Sequence, residues 1–369
     1  MKNIFCLLLM ILCFNFYCNS QVYFPFKTED KQSSILAYWY NCKADTAIEA
    51  AIQDTVYLHS SLQIYGPVLS DSFYVKAEVY LTNDNEGYSK SFLVKKDLQN
   101  IDYTIDMLEN YFLLTVPVYQ LKNNPEKIKI TISSSGENLE KWINCKYHKL
   151  YGHIYDFKGN PLKSYILIKS EGFNDISGVW SDASGYYEIY LPERTYNCFY
   201  VNDGNYKLST LEAWAWHMII DEDQKLDFRI GTGEVYNLNA WSNNGGFGSF
   251  FISFRPMVLF KDTSYIQEIN NKEFKLLDIS PDLDVKDITV TINGKQTEIY
   301  TIQKYFESGK DRAMPAYLIQ VRRLPPCLGK QTIQVEYEKI IEKDGKKSFQ
   351  NSMGYFQFYL NFYGFSDFN

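Results

Sequence analysis

Short runs of alternating apolar and polar residues recur along the chain and are separated by turn-forming residues. The clearest is Lys127–Ser133, which alternates strictly and is typical of a strand with one buried and one solvated face. Comparable runs occupy Phe73–Leu81, Tyr88–Val94 and Tyr111–Val118, and the turn-forming sequence Asn83–Gly87 separates the first two. The pattern predicts a strand-rich N-terminal region, most simply a β-sandwich.

One segment, Ala44–Tyr57, has a different period. Its apolar residues recur at roughly helical spacing, and Asp45 precedes them in a position where it could cap a helix. The apolar positions are Ala47, Ile48, Ala51, Ile52 and Val56. The pattern predicts a minor helical patch near the N-terminus of an otherwise β-structured chain.

The last third of the chain shows strand and hairpin patterns again. Glu234–Trp241 and Phe250–Phe254 flank Asn243–Gly246, whose Asn-Gly and Gly-Gly pairs favour a tight turn between aromatic strands. Further short apolar runs follow as far as Gly354–Phe362, with turn residues between them. This spacing is typical of another sandwich, so we expect an all-β fold of tandem β-sandwich domains.

The middle of the chain carries a more specific pattern. Gly152–Leu162 reads GHIYDFKGNPL, and Ser181–Tyr186 reads SDASGY, so that two Asp/Gly turns each precede a short strand. Over Tyr147–Ile230 the chain resembles the carboxypeptidase regulatory-like domain, a transthyretin-like β-sandwich. It departs from that family at Lys163–Tyr165, where the family usually has Gly-Ala.

The resemblance also implies what is missing. In metallocarboxypeptidases this module accompanies a catalytic domain that carries its zinc ligands on an H-x-x-E motif and a distant histidine. The chain has four histidines, and none is followed three residues later by glutamate. The resemblance therefore implies a structural or adhesive spacer without the peptidase half.

The first twenty residues have the three zones of a secretory signal. Lys2 provides the charged start, Ile4–Phe14 forms the apolar run, and a polar stretch ends at Ser20. We expect cleavage between Ser20 and Gln21, since the apolar run is shorter than the ~20 residues that span a bilayer. A lipid anchor on Cys18 is the alternative, although bulky residues precede this cysteine.

These patterns divide the chain into four parts. They are a signal peptide at residues 1–20, an N-terminal β-rich domain at 21–147, a carboxypeptidase regulatory-like domain at 148–231 and a C-terminal sandwich-like domain at 232–369. A length of 369 residues agrees with two or three domains. The net charge of -7 disfavours nucleic acid as a partner, because no basic field is present to hold a phosphate backbone.

Four cysteines remain after signal cleavage: Cys42, Cys145, Cys198 and Cys327. In an exported chain they could form two disulfides in any of three pairings, or stay as buried thiols, and both interpretations are open. No CxxC motif or Cys/His cluster occurs, so neither a metal site nor a cofactor is predicted.

Aromatic side chains are the weak candidates for ligand binding. Trp214 and Trp216 share one face of a predicted strand and could stack on sugars, with packing in the core as the alternative. Trp241 and Phe247 are the other candidates. We find no catalytic motif, and no residue is predicted to be catalytic.

Two clusters of acidic residues each have one functional and one structural interpretation. Asp221–Asp223 with Asp227 could bind calcium, but a charged turn between strands is the simpler interpretation. Glu336 and Glu338 share a strand face, as glycosidase carboxylates would, but such a pair also suits the solvated face of an edge strand.

The sequence therefore predicts a non-enzymatic exported scaffold or binding protein that acts at the cell surface or in the periplasm. The alternative is a carbohydrate-binding or carbohydrate-active protein that uses exposed aromatics. A third possibility is assembly into a surface complex through free strand edges. The expected partner is a glycan or another surface protein, and no transmembrane helix is predicted.

Overall fold

The computed structural model describes residues 30–42, 46–49, 55–58, 60–81, 86–98, 100–107, 110–170, 173, 175–243, 248–259, 263–269, 271–309, 312–325, 328–343 and 346–360. These residues are almost entirely β-structured, with a single turn of 3₁₀ helix at Val285–Asp287. The predicted signal peptide, Cys18, Phe247 and Cys327 lie outside them. The chain is an all-β protein of sandwich architecture.

The N-terminal module pairs two sheets around one core. Its strands are β1 (Leu36–Tyr40), β2 (Thr46–Glu49), β3 (Thr55–Leu58), β4 (Ser61–Pro67), β5 (Ser72–Tyr80), β6 (Glu86–Lys95), β7 (Thr104–Met107), β8 (Tyr111–Pro117), β9 (Lys127–Ser133) and β10 (Asn138–Asn144). One sheet has the order β1-β4-β8-β7 and the other β10-β9-β5-β6. Trp39, Phe73, Phe92 and Phe112 meet between them. Strand β9 buries alternate positions, as its sequence predicts.

The predicted helical patch is wrong where the structure describes it. Strands β2 and β3 pair antiparallel there, with Ile48 opposite Val56. Half of the residues in these two strands are β-branched, and such side chains favour extended backbone. A short isolated helix gains too few hydrogen bonds to offset its nucleation, whereas a hairpin can pair its two arms directly.

The middle module is also built from two sheets. Its strands are β11 (Tyr147–Asp156), β12 (Tyr165–Lys169), β13 (Asp175–Trp180), β14 (Tyr186–Pro192), β15 (Arg194–Asn202), β16 (Ala213–Ile220), β17 (Gln224–Lys225) and β18 (Phe228–Ile230). Strand β11 pairs with β14, β17 and β18, while β13-β12-β15-β16 form the second layer. Ile154, Ile166, Phe199 and Phe228 are among the side chains that fill the space between them.

Both predicted Asp/Gly turns of this module are confirmed. The Oδ1 atom of Asp156 accepts from the backbone nitrogens of Lys158 and Asn160, at 2.8 Å each. Asp182 accepts in the same way from the nitrogens two and four residues further on. Gly185 has a φ of +77°, a conformation that glycine adopts without strain. The family resemblance itself remains a prediction.

The C-terminal module contributes the remaining strands. They are β19 (Gly233–Ser242), β20 (Ser249–Val258), β21 (Thr263–Ile269), β22 (Lys272–Asp278), β23 (Ile288–Ile292), β24 (Lys295–Gln296), β25 (Ile299–Ser308), β26 (Arg312–Arg322), β27 (Gly329–Lys343) and β28 (Lys346–Leu360). One sheet runs β19-β20-β26-β22-β21, with β25 also on β26. The hairpin β27–β28 packs over it through Ile333, Val335 and Tyr337.

Strand β28 joins the middle module to the C-terminal module. It pairs antiparallel with β27 and parallel with β16, where Trp214, Ala215 and Trp216 lie opposite Gly354, Tyr355 and Phe356. Among the described residues this produces one eight-stranded sheet, β13-β12-β15-β16-β28-β27-β23-β24. The sheet crosses the domain boundary that the sequence suggests after residue 231, while the domain division as a whole stays a prediction.

Side chains rather than a shared sheet join the N-terminal and middle modules. The guanidinium of Arg194 donates to the hydroxyls of Tyr40 and Tyr65, at 3.1 and 3.3 Å. It also lies 4.5 Å from the ring centroid of Tyr38, within cation–π distance. Because β15 carries Arg194 and β1 carries two of these tyrosines, this contact fixes the two modules against each other.

We expect Gly233→Ala to destabilise the protein by about 3 kcal/mol, the upper range for overpacking a filled core. A Cβ atom at this position would overlap the hydroxyl of Tyr337 and lie 2.9 Å from the carbonyl oxygen of Met257. Tyr337 cannot retreat easily, since it is fully buried and its hydroxyl donates to that same carbonyl. Urea unfolding monitored by circular dichroism measures the change.

Gly136→Ala is the matched control for this prediction. No atom lies within 4 Å of a Cβ atom built at that position, so the same substitution should change the stability by less than about 0.5 kcal/mol. Equal stabilities of the two variants would contradict the packing of β19 against β27.

Candidate functional site

Strand β16 is buried on both faces. Trp214 and Trp216 point into the core of the C-terminal module and are each 6% exposed. Ala213 and Ala215 point the opposite way, into the core of the middle module. The sequence predicts the close packing of the alanine face correctly. The tryptophan face, however, is covered by β19 and its neighbours.

The two indoles form the centre of an aromatic cluster. Their rings stack with centroids 5.0 Å apart, and Tyr236 contacts both edge-on at 5.3 and 5.0 Å. Such pairs contribute roughly 0.5–1.5 kcal/mol each beyond burial. Because no ring face is open to solvent, the sugar-stacking hypothesis for Trp214 and Trp216 is wrong and the core interpretation holds.

Trp241 is in a different environment. Its side chain is 42% exposed and stacks on Phe251 of the neighbouring strand, with centroids 5.9 Å apart. The pair lies on the outer face of the sheet formed by β19 and β20. Trp241 therefore remains an accessible candidate, whereas the candidate Phe247 lies outside the described residues.

The three described cysteines are unpaired thiols. Cys42 and Cys198 are buried, and Cys145 is half-buried. Burial raises the pKa of all three thiols and brings those of Cys145 and Cys198 to about 12. Since the thiolate is the reactive form, burial makes these thiols less reactive at neutral pH than an exposed cysteine.

Two buried glutamates lie beside the tryptophan cluster. Glu212 and Glu234 are 5% and 6% exposed, and the indole nitrogen of Trp214 donates to Glu234 Oε2 at 2.9 Å. Burial raises the pKa of both carboxyls, and the charge of Glu234 raises that of Glu212 further. The pKa of both carboxyls is therefore raised on folding, and the buried pair holds a proton more tightly than free carboxyls do.

A groove of about 840 Å³, lined by both polar and apolar side chains, runs along the other side of β27–β28. Residues of β27 alternate between the two environments: Ile333 and Val335 face the core, while Thr332 and Gln334 line the groove. Strands β17 and β18 form the opposite wall, and Met353 and Tyr355 of β28 also line it. A volume of this size is in the range of small-molecule sites.

Ion pairs cross the groove at both ends. At one end the Lys330 ammonium lies 2.6 Å from Asp221 and 2.7 Å from Glu222. At the other end Arg229 of β18 pairs with Glu336 of β27. Burial raises the pKa of Glu336, and the Arg229 charge opposes that change.

Comparisons with known proteins identify no family. A scan against family models finds no match, and neither does a search of curated proteins. Among solved structures, the TIE protein of Bacillus anthracis is 12% identical at a TM-score of 0.19, covering 89% of this chain and 73% of that one. The major pilin subunit of Bacillus cereus is 9% identical at a TM-score of 0.18, covering 57% and 68%. Likenesses this weak say nothing about function.

The two groups of acidic residues noted in the sequence take part in the ion pairs at the ends of the groove. Asp221–Asp223 form a charged turn between β16 and β17, as the simpler interpretation expects. Glu336 does not lie on an edge strand, because β27 is paired on both sides with β23 and β28.

Thr291 and Gln334 are among the groove residues that the sequence does not indicate. Their alternation with apolar neighbours predicts a polar face, but nothing local distinguishes a groove from open solvent.

In the described part of the chain, no group of three or more His, Cys, Asp or Glu side chains is placed to hold a metal ion. The same residues contain no helix long and apolar enough to cross a membrane.

We expect Glu212→Gln to reduce the pH dependence of stability. Because its pKa is raised on folding, the native pair retains a proton that the unfolded chain releases above about pH 4.3. The free energy of unfolding therefore falls as the pH rises above that value, by about 1.4 kcal/mol per pH unit for one proton, until the folded pair itself ionises. The Glu212→Gln variant lacks the part of this loss that Glu212 contributes, so its stability relative to the native protein, measured by urea unfolding, should increase from pH 5 to pH 8.

Glu298→Gln provides the control, since this side chain is exposed in the loop between β24 and β25. Its urea midpoint should follow that of the native protein at every pH. A Glu212→Gln variant with the same pH profile as the native protein would show that the buried pair does not share a proton.

Proposed function

We propose that the protein is a non-enzymatic scaffold with a ligand-binding role, which acts outside the cytoplasm at the cell surface or in the periplasm. The observation that carries this proposal is the sheet shared by the middle and C-terminal modules through β16 and β28. Main-chain hydrogen bonds replace the flexible linker that usually separates domains. The joined modules form a stiff body suited to holding a surface at a fixed position.

The contacts of the N-terminal module extend this stiff body. Arg194 is held by tyrosines of both β1 and β4, and Ser61 Oγ donates to the carbonyl oxygen of Ile176 at 3.1 Å. The predicted regulatory-like module in the middle supports the same role, since it resembles a spacer that lacks its catalytic partner. The groove beside β27 supports binding over catalysis, because its charged side chains are engaged with one another.

Calorimetry of the mature chain tests the stiff-body part of the proposal. The middle and C-terminal modules share β28, so we expect them to unfold in a single transition. Arg194→Ala should separate the N-terminal module into a transition of its own at lower temperature, because it removes contacts with Tyr40 and Tyr65. The exposed Arg312→Ala is the control and should leave the profile unchanged. Three independent transitions in the native protein would contradict the proposal.

Expression in a Gram-negative host tests the export part. With its own first twenty residues, the protein should appear outside the cytoplasm with Gln21 as its first residue, as measured by intact mass. Leu8→Arg interrupts the apolar run and should retain the precursor in the cytoplasm. A product that begins at a lipid-modified Cys18, and that Cys18→Ser abolishes, would instead establish lipid anchoring. Full-length protein in the cytoplasm would contradict export.

A further inference from the structure

The walls of the groove beside β27 are held at a fixed separation. Gln357 of β28 is 1% exposed, and its amide nitrogen donates to Gln224 Oε1 on one wall and Thr332 Oγ1 on the other, at 2.9 and 3.0 Å. Its oxygen accepts from the backbone nitrogen of Ile219 at 2.8 Å. Both polar atoms of this buried side chain are hydrogen-bonded, so Gln357 holds the two walls together. The groove is therefore preorganised before a ligand binds.

Each charged side chain that lines the groove is paired with a side chain of opposite charge. Lys225 lies 2.8 Å from Asp227, and Lys330 is paired with both Asp221 and Glu222. The remaining charged residue that lines it, Arg229, is paired with Glu336. A phosphate or carboxylate ligand would have to displace an existing carboxylate, and a cation would have to displace a lysine or arginine. This arrangement favours an uncharged ligand.

The remaining polar groups suit a ligand rich in hydroxyls. The Thr291 hydroxyl donates to Gln334 Oε1 on the adjacent strand at 3.3 Å, so the hydroxyl oxygen can still accept from a ligand and the Gln334 amide nitrogen can donate to one. Tyr155, which is half-buried, adds aromatic surface of the kind that packs against the carbon face of a sugar ring. From Lys330 to Glu336 the strand covers roughly 20 Å, which accommodates several linked sugar units.

We propose that this groove binds an uncharged oligosaccharide along β27, with Thr291 and Gln334 providing hydrogen bonds to its hydroxyl groups. The inference rests on the binding role proposed above and names its ligand class. It differs from recognition by exposed aromatics, because Trp241 lies on the outer face of another sheet. The scaffold role is tested separately, by the calorimetric unfolding described above. A protein that binds no oligosaccharide could therefore still be a scaffold.

Isothermal titration calorimetry with a panel of neutral and acidic oligosaccharides tests the inference. We expect at least one neutral member to bind the mature protein at micromolar to millimolar concentration, and acidic members to bind more weakly. The variant Thr291→Val/Gln334→Leu preserves side-chain volume and removes both hydrogen-bonding partners together, so neither is left unpaired. It should weaken binding more than tenfold with an unchanged melting temperature.

Trp241→Ala is the matched control and should bind as the native protein does. Binding that Trp241→Ala abolishes, or that the groove variant leaves unchanged, would overturn the assignment. A preference for acidic oligosaccharides, or no binding by any neutral member, would also overturn it. If the double variant fails to fold, Gln334→Ala removes one hydrogen-bonding group from the half-buried surface of β27 and should still weaken binding severalfold.

Discussion

The parallel pairing of β16 with β28 is the interaction on which the rest of the structure depends. Only a few residue pairs form it, yet it places the last strand of the C-terminal module inside the sheet of the middle module. Without that pairing, Trp214 and Trp216 would lie on the open face of an edge strand. With it, both faces of β16 are covered and the two modules share a continuous sheet.

The same arrangement produces one dry and one wet surface on β27–β28. Because side chains alternate along a strand, Ile333 and Val335 enter a core while Thr332 and Gln334 face outward. Strands β17 and β18 pack over that outward face and turn it into a groove. On the dry side the tight packing isolates Glu212 and Glu234 from water, which is the physical cause of their raised pKa values.

Local sequence patterns predict most of the strands and the turns between them. Alternation predicts β9 to the residue, and the Asp/Gly sequences predict the turns at Asp156 and Asp182. The helical patch fails because Ile48 and Val56 fit two periods at once, and their pairing across a hairpin decides between them. A short apolar segment does not contain the information that would distinguish these outcomes.

The sequence by itself determined that this is a strand-rich chain with tight turns, because alternation and turn chemistry act between residues that are close together along the backbone. It also determined that Trp214 and Trp216 share one face of a strand. Only the tertiary structure decided that this face is buried, that β27 lies inside a sheet, and that Lys330 and Arg229 close the ends of a groove. These outcomes depend on contacts between segments roughly 40 to 140 residues apart, and no local pattern specifies which of two strand faces another module will cover.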